Sequence, residues 1–113
     1  MALLTRDSVL KAQDVATKDV AVPEWGGDIR VRSMTVAERA EFVRRSGSSE
    51  ERDAIGAWLV ATLSVDAGGA QLFKPEDVAA LVQRNFRALD RVMATIFELN
   101  ALDAKKVEEA AKN

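Results

Sequence analysis

The segment from residue 19 to residue 33 carries the alternating pattern of a β-hairpin, and it constrains the fold more than any other stretch. Apolar and polar residues alternate on both sides of a glycine pair, as they do in half-buried strands. If Val22 faces Val31, the apolar residues of both strands share one face, whereas a shift of one residue would place Val22 opposite Arg30. Burial therefore favours the first register. The predicted apolar face comprises Val20, Val22, Ile29 and Val31.

The loop of this hairpin contains a tryptophan. The predicted register permits either a two-residue Gly26–Gly27 loop or a four-residue Trp25–Asp28 loop. Pro23 favours the longer loop, because it then occupies a non-hydrogen-bonded pair and its missing N–H costs no ladder bond. We expect Trp25 to lie in the loop, partly exposed and near Arg30. A local packing role and a partner-binding role for Trp25 are about equally favoured.

Capping signals mark the helices before residue 64. Residues 3–13 are predicted to be helical with Thr5 as the N-cap, and Leu4 and Val9 have hydrophobic-staple spacing across it. Thr35 and Glu38 have the spacing of a capping box that starts a second helix. Its predicted inward stripe is Val36, Ala40 and Val43, with Phe42 beside it. A third helix is expected from about residue 50 to residue 63, with Trp58 largely buried.

Later breakpoints divide the second half of the chain. "VDAGGAQLF" is predicted to be a turn, with brief extended pairing on either side of Gly68–Gly69. Pro75 suits the first position of a helix, in which Val78, Leu81 and Val82 are expected to face inward. Asn85 is the predicted breakpoint before a long amphipathic helix over residues 86–99, and Asp103 is the predicted cap of a terminal helix.

These elements place the chain in the α+β class, mostly α, with five to six helices packed with one N-terminal β-hairpin. The 113 residues are expected to form a single domain over residues 1–113. The hairpin would occupy about residues 19–33 and the helical part about residues 35–112.

The composition argues against an enzyme. The chain has no cysteine and no histidine, which removes thiolate chemistry, the commonest general base and the usual transition-metal ligands. No nucleotide-binding or metal-binding motif is present, so no cofactor and no metal are expected. The net charge of −2 gives no drive toward nucleic acid or a membrane, and the arginines are interleaved with carboxylates, which favours a mixed solvated surface.

The helix over residues 86–99 holds more large apolar residues than one packing stripe needs. Core packing is the commoner explanation of such a stripe, but its outer face also suits a partner helix. The candidate partner-binding residues are therefore Trp25, Phe86 and Phe97, together with the terminal helix from Asp103. Self-association through the same stripe is an intermediate outcome.

Four stretches carry a resemblance to a known family. They are "LLTRDSVLKAQD", "VAVPEWGGDIRVRSMTVAERAEF", "WLVATLSVDAGGAQLFKPEDVAAL" and "LNALDAKKVEEAAKN". With them the chain resembles the tail assembly chaperones of long-tailed (siphovirus-type) bacteriophages over nearly its full length. The most specific element is the strand–"PEWGG"–strand–"MTVAER" unit, followed by "LFKPEDV".

The resemblance implies a non-catalytic role in tail morphogenesis. Such chaperones bind the tape measure protein, keep it soluble and help to recruit tail tube subunits. They act in the host cell cytoplasm and are not retained in the mature virion. Two alternatives stay open: a structural head–tail connector or neck protein of the virion, and a small nucleic-acid-binding regulator.

The resemblance also implies a programmed −1 frameshift near the end of the reading frame. The longer product would carry a second domain that contacts the tail tube protein. Ala104-Lys105-Lys106 and Ala111-Lys112-Asn113 can each be encoded with a slippery heptamer in the required phase, so there are two candidate sites. Lysine and alanine are also ordinary residues of a terminal helix.

Overall fold

The structure is a computed structural model that describes residues 2–50 and 54–102. Five α-helices and a three-stranded antiparallel sheet are present in these residues, which confirms the predicted α+β class with mostly α structure. The helices are α1 (Arg6–Leu10), α2 (Val36–Ser46), α3 (Ile55–Leu63), α4 (Val78–Leu81) and α5 (Phe86–Leu99), and the strands are β1 (Thr17–Val22), β2 (Gly27–Arg32) and β3 (Ser64–Val65).

The hairpin has the predicted apolar face but a different register. Val20 pairs with Ile29, and Val22 pairs with Gly27, so the predicted pairing of Val22 with Val31 is wrong by four residues. A shift by an even number of residues keeps every side chain on its own face. Val20, Val22, Ile29 and Val31 are consequently all buried in the core, as the alternation predicted.

The loop geometry explains the register. Residues Pro23–Trp25 form one turn of 3-10 helix, and Gly26 follows with a φ of 82°. Proline suits the first position of such a turn because it needs no N–H there, and glycine takes the left-handed conformation without steric cost. The four-residue loop therefore runs from Pro23 to Gly26, two residues earlier than predicted, and Trp25 lies in it as expected.

Strand β3 extends the sheet beyond the predicted hairpin. Arg30 pairs with Val65 in an antiparallel arrangement, giving the strand order β1-β2-β3. Val65 also forms a bridge with Gln71 across the turn, which confirms the predicted pairing on either side of Gly68–Gly69. No pattern in the sequence predicted that this segment joins the hairpin.

Both predicted threonine caps are present. The residues of α2 that face the core, however, differ from those predicted. Thr35 and Glu38 form a capping box. Val36, however, is 90% exposed, and the residue of α2 that enters the core is Phe42. The predicted stripe of Val36, Ala40 and Val43 is therefore wrong. The reason is that Arg32 binds both Glu38 oxygens, at 2.7 and 2.6 Å, which turns that side of α2 toward the sheet.

Helix α3 packs closely against α5, and a glycine makes this possible. A Cβ atom on Gly56 would lie 2.4 Å from the sulfur of Met93, so only glycine fits without a shift of Met93.

Trp58 is half-buried, with the Arg45 guanidinium 4.9 Å from its ring centroid. Trp58 packs against the core without being fully buried, and so does Trp25, so the two tryptophans do not show the predicted contrast in burial.

The predicted breakpoints of the second half are confirmed. Pro75 opens a 3-10 turn that leads into α4, and the Asn85 side chain accepts a hydrogen bond from the Ala88 N–H at the start of α5. Leu81 is buried, whereas Val82 is 48% exposed, so the inward orientation predicted for Val82 is wrong. The face of α5 that enters the core consists of Ala88, Val92 and Ile96.

Two predictions concern residues outside the described part of the chain. The predicted terminal helix, with Asp103 as its predicted cap, falls in residues that the structure does not describe. The two candidate slippery-site tripeptides, residues 104–106 and 111–113, also lie there. Both stay predictions.

Candidate partner-binding site

A groove lies beside the hairpin loop. It has a volume of about 350 Å³, at the lower end of the range typical of ligand pockets. The loop and the start of β2 form one wall, and the segment after the β3 turn and helix α4 form the rest. Its lining residues are Trp25, Gly26, Gly27, Asp28, Ile29, Phe73, Leu81 and Arg84.

An ion pair fixes the position of the loop. Both carboxylate oxygens of Glu24 accept hydrogen bonds from Arg91 of α5, at 2.7 and 3.0 Å. The hydrogen bond from Arg91 lowers the pKa of Glu24, and the charge of Arg87 lowers it further. Because Glu24 precedes Trp25 in the same 3-10 turn, this pair holds the tryptophan against the body of the protein. Trp25 is half-buried and packs on the core from its edge.

The chain segment that carries Phe86 lies at the same end of the molecule. Phe86 is 78% exposed. Arg84, two residues earlier, lines the groove, and Arg87, the next residue, acts electrostatically on Glu24. The backbone at Phe86 therefore lies near the groove, although the Phe86 side chain does not line it. We call the groove, the exposed side chains of Val82 and Phe86, and Arg87 the loop-end surface.

Phe97 does not contribute to this surface. It lies about 16 Å farther along α5 than Phe86, at about 1.5 Å per residue. Its ring packs against Phe42 of α2, with a centroid distance of 6.3 Å and an interplanar angle of 51°. The structure thus brings two of the three predicted site residues to one end and gives Phe97 a packing role between helices.

Comparison with known proteins indicates what this architecture is. No protein-family profile matches the sequence, and no curated protein matches it either. Among solved structures, the tail assembly chaperone of bacteriophage HK97 is similar, with a TM-score of 0.63 and 15% sequence identity. The similarity covers 82% of this chain and 94% of that chain.

The protein has the fold of a phage tail assembly chaperone. This agrees with the resemblance that the sequence motifs suggested. At 15% identity the agreement concerns the fold.

The chaperone fold carries a second exposed apolar region, which the sequence analysis missed. None of the residues of α1 is buried, and Leu3 just before it is 95% exposed. The staple spacing of Leu4 and Val9 suggested a covered pair, yet both side chains are exposed. The signal that could have revealed this region is its composition, because several apolar residues lie in and around a helix that is too short to be stable by itself. The exposed apolar residues are Leu3, Leu4, Val9, Leu10 and Val15.

The charged residues of the chaperone fold largely neutralise one another. Several of the arginines that could have formed a basic surface are paired with carboxylates, which agrees with the predicted mixed surface. The paired arginines are Arg30, Arg32, Arg44, Arg45 and Arg91. Within residues 2–50 and 54–102, no acidic cluster could hold a metal ion, and no helix is long and apolar enough to cross a membrane.

Proposed function

We propose that this protein is a phage tail assembly chaperone that binds the tape measure protein and keeps it soluble during tail morphogenesis. The observation that carries the proposal is the structural similarity to the HK97 tail assembly chaperone over 82% of this chain. The motif resemblance supports the same role independently. The role is non-catalytic, in keeping with a chain that lacks histidine and cysteine.

The exposed apolar regions give the proposal a physical basis. A tape measure protein is expected to be long and helical, with apolar seams that favour self-association. A small protein that covers those seams must expose apolar surface of its own before it binds. The loop-end surface offers Trp25 and Phe86 for this purpose, and the region around α1 offers Leu3 and Leu10.

The finer parts of the role follow from the resemblance. We propose that the protein acts in the host cell cytoplasm and is absent from the mature virion. Recruitment of tail tube subunits would depend mainly on the longer frameshifted product. Reading the coding DNA tests this last step, since it requires a slippery heptamer and an overlapping −1 frame downstream.

Co-expression with the tape measure protein tests the central role. The tape measure protein alone should accumulate in the insoluble fraction, and this chain should move it to the soluble fraction and purify with it. Two further assays separate the alternatives. Abundant copies of this chain in purified virions would indicate a connector or neck protein, and salt-dependent DNA binding would indicate a regulator.

A further inference from the structure

Two arginines of the loop-end surface differ from the paired arginines elsewhere. Arg84 and Arg87 are exposed. Within the part of the chain that the structure describes, neither donates a hydrogen bond to a carboxylate or lies in an ion pair. They stand on either side of the exposed Phe86 in the sequence, and Arg84 also lines the groove beside Trp25.

The local carboxylates do not neutralise these arginines by direct contact. Glu24 is occupied by its two hydrogen bonds to Arg91. Asp28 lines the same groove as Arg84, but no ion pair joins them. Since Glu24 and Arg91 neutralise each other, Arg84 and Arg87 stand against Asp28 alone. The loop-end surface therefore combines apolar side chains with an excess of one positive charge at its rim. A complementary partner would have apolar side chains flanked by carboxylates.

The sheet edge beside the groove indicates a helical rather than an extended partner. Strand β3 pairs with Arg30 and Val31 of β2, so only Gly27–Ile29 extend beyond it toward the loop. Three residues are about half the usual strand length of 5–6 residues, and strand addition depends on main-chain hydrogen bonds along an exposed edge. A helix needs only the apolar groove and its rim.

We propose that the loop-end surface binds a helical segment whose apolar seam is flanked by acidic residues. The apolar side chains would enter the groove beside Trp25, and the carboxylates would pair with Arg84 and Arg87. This inference rests on the proposed function, because it names the class of tape measure segment that the chaperone selects. Arg84 and Arg87 are then specificity-determining residues, and Trp25 is the apolar anchor.

Two designed peptides test the proposal. Both are amphipathic helices of about 20 residues, long enough to be helical, with the same leucine seam flanked by glutamate in one and by lysine in the other. A Trp58→Phe variant leaves Trp25 as the single tryptophan, so its fluorescence reports binding at the groove. The glutamate peptide should bind about tenfold more tightly than the lysine peptide at low salt, and added salt should reduce the difference.

Charge reversal provides the control within the protein. In the Trp58→Phe background, Arg84→Glu with Arg87→Glu should invert the preference between the peptides. Lys11→Glu with Arg39→Glu changes the net charge equally at exposed positions outside the groove and should leave the preference unchanged. Equal affinity for both peptides, no binding of either, or the same preference after reversal at Arg84 and Arg87 would overturn the proposal.

A final arm separates this proposal from the general role. If wild-type protein and the Arg84→Glu, Arg87→Glu variant solubilise the tape measure protein equally well, the acidic-helix inference is wrong and the chaperone role stands. If the wild-type protein does not solubilise the tape measure protein, the chaperone role itself is wrong.

Discussion

At the scale of single residues, the Arg32 side chain joins three elements of the fold. Its guanidinium donates to Glu38 of α2 and also to the carbonyl oxygens of Ser33 and Thr62, at 3.0 and 3.2 Å. It thereby links the end of β2, the start of α2 and the end of α3. The hydrogen bond from Arg32 holds the pKa of Glu38 below its ordinary value of 4.5. Since both side chains are mostly buried, this contact is stronger than a surface ion pair.

The lowered pKa of Glu38 predicts an acid-sensitive stability. A carboxyl whose pKa is lower in the folded than in the unfolded protein stabilises the fold above the unfolded pKa, and this contribution is lost as the pH falls through the folded pKa. Glu38→Gln should cost about 1–3 kcal/mol at pH 7, because Arg32 loses its charged acceptor. Urea unfolding at neutral and strongly acidic pH should show a smaller acid loss for Glu38→Gln than for wild type.

The matched control for this experiment is Glu76→Gln, which changes an exposed carboxylate. It should leave both the neutral stability and the acid loss unchanged. The same acid loss in Glu38→Gln as in wild type would mean that the Arg32–Glu38 pair does not carry the pH dependence.

Trp25→Ala tests the anchor of the loop-end surface. Trp25 is half-buried at the edge of the core, so the variant should keep its fold, as judged by an intact cooperative thermal transition. Loss of a tryptophan anchor at an interface typically costs about 2 kcal/mol or more, so solubilisation of the tape measure protein should fall steeply. Trp58→Ala removes the other partly buried tryptophan, which lies outside the groove, and should retain solubilisation. Full activity of a folded Trp25→Ala variant would limit Trp25 to local packing.

At the scale of elements, local sequence signals predicted where helices begin. Contacts between residues distant in sequence determined which side of a helix faces the core. Thr5, Thr35, Pro75 and Asn85 mark helix starts because capping depends on residues three apart. The rotation of α2 depends instead on Arg32, which only the folded hairpin brings to Glu38. No signal within α2 contained that information.

The candidate site also combines features that local sequence signals predict with features that depend on long-range contacts. The strand alternation predicted the buried face of the hairpin, but it allowed any shift by two residues, and the 3-10 turn at Pro23 selected the actual register. The loop position of Trp25 could be predicted locally. Phe73 and Leu81 are distant in sequence, so their convergence on Trp25 required the packed structure.

The turn at the hairpin loop predicts a contrast between two neighbouring glycines. Gly26 has a φ of 82°, whereas Gly27 has no unusual φ and nothing within 4 Å of an added Cβ. Gly26→Ala should therefore destabilise the protein by about 1 kcal/mol through left-handed backbone strain, and Gly27→Ala should be neutral or slightly stabilising. Urea midpoints measured side by side check this. Equal effects of the two substitutions would contradict the loop conformation.

At the scale of the whole molecule, strand β1 connects the two exposed apolar regions along the chain. The region around α1 precedes Thr17, and the hairpin loop follows Val22, which lies about 17 Å from Thr17 at the rise of an antiparallel strand. Helix α5 spans this distance, with ion pairs from Lys18 to Glu98 and from Glu24 to Arg91. The sheet and α5 thus hold the loop-end surface in place relative to the body of the protein.

The chaperone role is tested most directly by the solubility of the tape measure protein from the same genome, expressed with and without this chain. If this chain is a tail assembly chaperone, the tape measure protein will be insoluble alone, become soluble with this chain and elute with it as one complex. A tape measure protein that stays insoluble, or becomes soluble without binding this chain, would contradict the chaperone role.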